Sequence, residues 1–213
     1  MATSNGSGEK QKIGIMGGTF DPIHNGHIQV ALEAQKQLVL QRVLFVPAGQ
    51  PWMKSNQCIT PTKHRIEMVR LAIGQYPGFD VSAIETERRG PTYTIDTLRQ
   101  STLEYAGRAE LFLILSWNTL AELPAWKNPG EIVLLATIVA VPRPGYMKPV
   151  LESLETKIPG ITLKIIWLES PIINISATSI RQRVASSEPI SELVPPLVEQ
   201  YIKKNRLYVK FTS

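Results

Sequence analysis

Apolar and polar positions along this chain switch repeatedly between two periods. Short apolar runs at residues 13–16 (IGIM), 42–48 (RVLFVPA), 110–115 (ELFLIL) and 137–141 (TIVAV) read as buried strands. Residues 79–84 alternate as a further strand, and residues 162–168 form a sixth. Between them, apolar residues recur at helical spacing: Val30, Ala31, Ala34 and Leu38 within 28–38, and Ile66, Val69, Ala72 and Ile73 within 62–76. Helices are also predicted near 95–103, 118–123, 129–136, 148–157, 176–185 and 195–204. The near-continuous apolar character of 110–115 predicts a central strand, buried on both faces. Strands alternating with helices predict an α/β fold: a doubly wound, mostly parallel sheet flanked by helices. Such folds bind ligands beyond the carboxyl ends of their strands, at a switch point.

Composition narrows this only slightly. A chain of 213 residues with 43% apolar and 19% charged content suits one globular domain with a full core. The first eleven residues are polar and Gly/Ser-rich and read as a disordered lead, which leaves 12–213 as a single domain. Net charge is +5 from 23 basic and 18 acidic residues. That suits an anionic small molecule, and without a dense Lys/Arg tract no nucleic-acid partner is expected. The single cysteine, Cys58, excludes an internal disulfide and a thiolate metal cluster, and fits a reducing cytoplasm. No apolar run approaches membrane-span length, so no membrane partner is expected. Residues 49–61, with Trp52, Met53 and Lys54, make a long connection of the kind that often carries function.

The chemistry concentrates in Gly17-Gly18-Thr19-Phe20-Asp21-Pro22-Ile23-His24-Asn25-Gly26-His27, between the first strand and the first helix. Paired glycines let backbone approach a ligand closely. A helix start offers free N–H groups and partial positive charge, which suits phosphate. His24 and His27 fall in that first turn, and Gly26 between them leaves room for a nucleotide. A second helix start, Ser176-Ala177-Thr178-Ser179-Ile180-Arg181, joins an N-cap serine, a hydroxyl and a guanidinium in another anion site. Alone, it also reads as an ordinary capped helix with a surface arginine.

The eleven-residue motif resembles that of the HxGH nucleotidyltransferases, which have a Rossmann-like fold, and its longer form resembles the bacterial nicotinate-nucleotide adenylyltransferases. The similarity spans residue 12 to about 208. The resemblance implies that His24 and His27 are catalytic. It implies that Gly17, Gly18, Thr19, Phe20, Ser176, Thr178 and Arg181 hold ATP and its phosphates, the last three through an ISxTxxR motif. Thr92-Tyr93-Thr94 matches the family's nicotinate-recognising segment, Trp126 its ring-stacking tryptophan, and Arg143 lies in another matching segment. Lys54 matches the lysine of a His-Lys pair whose histidine is here Met53. The family's Gly-x-Asp is replaced by Ser116-Trp117-Asn118, so Asn118 offers ribose an uncharged acceptor.

The implied reaction joins nicotinate mononucleotide and ATP to give deamido-NAD and pyrophosphate in NAD biosynthesis. Mg²⁺ is implied with ATP, held mainly by phosphates and water, since the sequence offers no acidic metal cage. Transfer to another phosphorylated acceptor, and a non-catalytic dinucleotide sensor, stay open as alternatives. The sequence gives no oligomeric state.

Overall fold

The computed structural model describes residues 9–51 and 59–209. The first eight residues of the expected lead, together with Trp52, Met53, Lys54 and Cys58, lie outside them. Among the described residues, eight strands and eight α-helices follow one another. They are β1 (Gln11–Gly18), α1 (Asn25–Leu38), β2 (Arg42–Pro47), β3 (Gln50–Pro51), α2 (Thr62–Ile73), β4 (Phe79–Val81), β5 (Pro91–Thr92) and α3 (Thr94–Glu104). Then come β6 (Ala109–Ser116), α4 (Trp117–Glu122), α5 (Pro129–Leu135), β7 (Ala136–Val141), α6 (Leu151–Lys157), β8 (Ile165–Trp167), α7 (Ala177–Ala185) and α8 (Pro196–Lys204).

Six strands form one parallel sheet in the order β4-β2-β1-β6-β7-β8. The chain winds outward from β1 to β4, then returns to the other side of β1 and winds outward again. The switch point therefore lies between β1 and β6, at Gly18 and Ser116. Side-chain alternation explains why these strands read as unbroken apolar runs. Met16, Phe45, Phe112, Ile114 and Val139 face a core built with Ala31 and Ala34 of α1, Met68 and Val69 of α2, Ile180 of α7 and Ile202 of α8. Their neighbours Ile15, Leu44, Leu111, Leu113 and Ile138 face the opposite core, with Ile95 and Leu98 of α3 and Ile132 of α5. Both faces are buried, as a parallel sheet requires.

Among the element boundaries that differ from the sequence reading, four have a visible cause. β1 begins at Gln11, inside the expected lead, because the Gln11 N–H donates to the Arg108 carbonyl at 2.9 Å. β4 stops at Val81 because the Ala83 carbonyl accepts from the Thr86 N–H and hydroxyl, both at 2.8 Å, closing a turn. The strand expected over 162–168 is confined to Ile165–Trp167. Ahead of it, Glu155 accepts from the Gly160 N–H (2.6 Å), the Thr162 N–H (3.0 Å) and the Thr162 hydroxyl (2.9 Å), which fixes Ile161–Lys164 as a 3₁₀ turn. α6 starts at Leu151 rather than 148, since Pro149 disfavours helical backbone in the residue before it.

A second, two-stranded sheet has no counterpart in the sequence reading. β3 pairs with β5 in parallel, Gln50 opposite Pro91 and Pro51 opposite Thr92. It ties the connection after β2 to the one entering α3. Gly49, just ahead of it, lies so close to the Glu85 carbonyl that an added Cβ would collide with backbone. Gly49→Ala is expected to destabilise the protein by about 1–3 kcal/mol, read as a fall in the urea midpoint at unchanged slope.

Candidate active site

The connection from β1 to α1 crosses the switch point. His24 is the N-cap of α1, with extended backbone (φ −145°), and His27 is the third helical residue. The His24 N–H donates to His27 Nδ1 at 3.2 Å. A backbone N–H can only donate, so Nδ1 carries the lone pair, and a neutral His27 keeps its proton on Nε2. The two imidazoles stack with centroids 3.7 Å apart and planes at 23°. Phe20 meets His27 edge-on at 5.0 Å. The glycine at 26 has a different reason from the one read in the sequence: its missing Cβ is needed by the His24 ring (3.0 Å) and Ile173 (3.1 Å). Burial, with Arg143 nearby, pushes His24 down to about 4. Burial, His24 and Arg143 push His27 well below the ordinary histidine range. Both rings are therefore neutral near pH 7. His24 Nδ1 is buried and has no hydrogen-bond partner among the described residues.

The backbone that carries these rings is held by side chains from distant elements. Asp21 is 5% exposed. Its Oδ2 accepts from the Thr60 N–H (3.1 Å), its Oδ1 from the Tyr208 hydroxyl (2.7 Å), and its carbonyl from Arg181 Nη1 (2.7 Å). Arg65 of α2 is 2% exposed. Its guanidinium donates to the carbonyls of Thr60 (2.9 Å), Thr19 (2.8 Å) and Gly49 (3.4 Å) and to the Thr62 hydroxyl (3.0 Å). Burial lowers its pKa, and Asp21 and Tyr208 oppose that shift. Carbonyl oxygens thus replace the water this cation lost. Neither Arg65 nor Tyr208 was identified from sequence. One signal was present: Arg65 falls on the same helical face as Val69 and Ala72, a cation in an apolar stripe.

α7 meets this loop from the other side. Its N-cap Ser176 accepts the Ser179 N–H at 3.1 Å. Arg181 Nη2 approaches the Thr178 hydroxyl at 3.5 Å. Gly17, Gly18, Thr19, Phe20, His24, His27, Ser176, Thr178 and Arg181 all line one cleft of about 500 Å³. Thr92, Tyr93, Thr94, Trp126 and Arg143 line the same cleft. Thr94 opens α3, so the start of that helix shares the cleft lining with Trp126. Lys127, which the sequence reading passed over, also lines it; its ammonium sits 4.3 Å from the Tyr93 ring centroid and 3.4 Å from Asp96.

One expected contributor stands elsewhere. Asn118 does not line the cleft; its Oδ1 accepts from the Ser116 hydroxyl (2.8 Å) and faces Arg143 Nη1 (3.5 Å). With serine in place of glycine at 116, the side chain at 118 turns to its neighbour's hydroxyl. Lys54 lies outside the described residues. Glu85 was also missed. It is 8% exposed, lines the cleft and accepts from the Thr97 hydroxyl at 2.7 Å, and burial raises its pKa.

The cytidylyltransferase-like family model matches residues 15–183. A Dehalococcoides mccartyi protein named "probable nicotinate-nucleotide adenylyltransferase" is 43% identical over 199 residues, covering 93% of this chain and 98% of its own. A Corynebacterium kroppenstedtii protein of the same name is 45% identical over 93% of this chain and 91% of its own. This chain belongs to the nicotinate-nucleotide adenylyltransferase family. The fold is shared with Plasmodium falciparum nicotinic acid mononucleotide adenylyltransferase, solved with NaAD, at a TM-score of 0.75 and 21% identity over 93% of this chain and 97% of that one.

As in any adenylyltransferase, the cleft must hold anions. It gathers Arg181, Arg143, Lys127, two imidazoles and the starts of α1, α3 and α7 against two carboxylates, Asp21 and Glu85, each already engaged by internal donors. No helix is long and apolar enough to cross a membrane among the described residues. No group of three metal-ligating side chains occurs among them either.

The lowered histidine pKa has a consequence for stability. Between pH 6.5 and about 4 the unfolded chain binds a proton at His24 that the folded chain does not, so stability falls as pH drops through that window. Urea unfolding at pH 7.5 and pH 5 is expected to show this loss, and His24→Asn to show a smaller one. Equal losses in the two proteins would mean that the imidazole titrates at its ordinary value.

Proposed function

We propose that this chain transfers the adenylyl group of ATP to nicotinate mononucleotide, forming deamido-NAD and releasing pyrophosphate, as a step of NAD biosynthesis in the cytoplasm. Residues 12–213 act as one nucleotidyltransferase domain in this reading. The observation that supports it is the 2.7 Å bond from Arg181 to the Asp21 carbonyl, which joins α7 to the loop entering α1 at one cleft. The family's printed name supplies the acceptor.

The chemistry asks little of an acid or base. A phosphate oxygen of the mononucleotide, already ionised near neutral pH, attacks the α-phosphorus of ATP. The bond from that phosphorus to the bridging oxygen of the β,γ-pyrophosphate breaks, and pyrophosphate leaves with the electron pair. What the site must supply is alignment of two anions and donors for the charge that develops. His27 serves as a donor through Nε2–H, a role a neutral imidazole fills. Its low pKa therefore leaves it competent, and the polyphosphate's charge raises that pKa on binding. His24 joins it from the adjacent turn. The amides after Gly17 and Gly18, with Thr19 and Phe20, flank the triphosphate. Ser176, Thr178 and the remaining N–H groups of Arg181 hold its other side.

Mg²⁺ enters as part of the substrate, on the triphosphate. Asp21 and Glu85 are both occupied by internal donors, so the ion is held by phosphate oxygens and water in this reading. The mononucleotide lies toward Thr92–Thr94, with its ring on Trp126 and its carboxylate at the start of α3. Arg143 and Lys54 add cations. Asn118 acts through Ser116 and Arg143 rather than on ribose directly.

An acceptor panel with ATP, read as pyrophosphate released, tests the reaction. Nicotinate mononucleotide is expected to exceed nicotinamide mononucleotide in kcat/KM by about tenfold or more, since charged hydrogen-bond partners are worth roughly 1–2 kcal/mol more than neutral ones. Pyrophosphate release with neither acceptor would refute the reading. His27→Ala is expected to lower kcat by about 10²–10³-fold, the usual cost of one preorganised donor, while the ATP dissociation constant changes little. A variant with near wild-type turnover would leave His27 a structural residue.

A further inference from the structure

Asp21 is a buried carboxylate at the centre of the catalytic loop for which the adenylyl-transfer reading has no use. Its partners come from three separate parts of the chain. Thr60 precedes α2, Arg181 lies on α7, and Tyr208 follows α8. The Tyr208 bond closes a separation of 187 residues. Tyr208 also has left-handed backbone (φ 66°), and Arg206 two residues earlier does too (φ 49°). That conformation is costly for a bulky side chain, so surrounding contacts must hold it. Burial and the adjacent Asp21 push the Tyr208 hydroxyl well above the usual tyrosine range, so it stays a proton donor.

We infer that Asp21 is a positioning residue: it sets the histidine loop and Arg181 in one fixed alignment, and Tyr208 is the partner that keeps its carboxylate in place. The inference rests on the adenylyl-transfer reading and adds a role which that reading does not assign. Asp21 accepts three hydrogen bonds, one on each of its three oxygens, and all three come from the protein itself. The backbone carbonyl fixes Arg181, leaving its other guanidinium N–H groups aimed into the cleft. The carboxylate fixes the same residue against Thr60 and Tyr208. Arg65 adds a parallel restraint at Thr19, two residues earlier. Rotating the Asp21 peptide would therefore move Arg181 relative to His24 and His27. Displacements of the order of an ångström in such an arrangement cost up to about 100-fold in rate.

Tyr208→Phe removes one hydroxyl and retains the ring. It is expected to lower kcat by about 10–100-fold and to weaken ATP binding measured by isothermal titration. The KM for nicotinate mononucleotide should not change, because Thr92–Thr94 and Trp126 belong to other elements. Asp21→Asn supplies the conservative test. Its amide oxygen still accepts from the Thr60 N–H, and its N–H₂ donates to Tyr208, whose oxygen turns acceptor. It should lose far less turnover than Asp21→Ala. Circular dichroism establishes that each variant is folded.

Wild-type kcat and ATP affinity in Tyr208→Phe would overturn the inference. So would equal losses in Asp21→Asn and Asp21→Ala, which would make charge the requirement. If the wild-type protein releases no pyrophosphate, the reaction reading fails on its own. The ATP affinities of the same variants then decide the positioning role, and an unchanged value in Tyr208→Phe overturns it.

Discussion

A buried cation sits under the cleft, and the rest of the site depends on how its charge is met. The Arg65 guanidinium has almost no contact with water, and three of its four acceptors are main-chain carbonyls: Thr19 after β1, Gly49 after β2, and Thr60 before α2. Leaving such a cation unpaired in the interior would cost several kcal/mol. The three segments are consequently drawn to one point. Two of them carry functional groups onward, since the first leads to His24 and His27 and the second, through the small β3–β5 sheet, leads to Thr92. The apolar core sets where the strands end. Arg65 and Asp21 set the paths of the loops that leave them.

The two histidines illustrate how local backbone and distant packing divide this work. Their contact with one another is local, because an N-cap and its third helical residue always lie within reach. Their protonation state is tertiary. Burial, helped by the nearby charge of Arg143, keeps the rings neutral, and in His27, whose Nδ1 is occupied by a backbone donor, the proton sits on Nε2. Tautomer and charge are thus settled before a ligand arrives, which lowers the reorganisation needed on binding.

The fold was legible in the sequence because a parallel sheet buried on both faces writes itself as plain apolar runs, and its helices write themselves at their own period. Residues 13–16 and 110–115 marked β1 and β6 on that basis, and these flank the switch point. The histidines and Arg181 were legible because each belongs to a short contiguous motif at a helix start. What could not be read was anything assembled across the chain. The β3–β5 pair has two residues per strand and a proline in each, so no period exists to detect. Arg65, Glu85 and Tyr208 carry no motif, and their roles arise only from what surrounds them. Asn118 shows the reverse case. Its side chain was expected at ribose, and in the structure it accepts from the neighbouring Ser116 hydroxyl.

The bond between Asp21 and Tyr208 also ties the shape of this loop to the far end of the described chain. The histidine motif lies near the other end, and β1, which leads into it, pairs with β6 (Ile13 opposite Leu111). The loop that carries the motif acquires its final shape only when residues 181 and 208 have docked upon it. A chain cut before residue 208 would keep the whole histidine motif and lose one of the contacts that shape it, so an intact motif is not by itself an intact site.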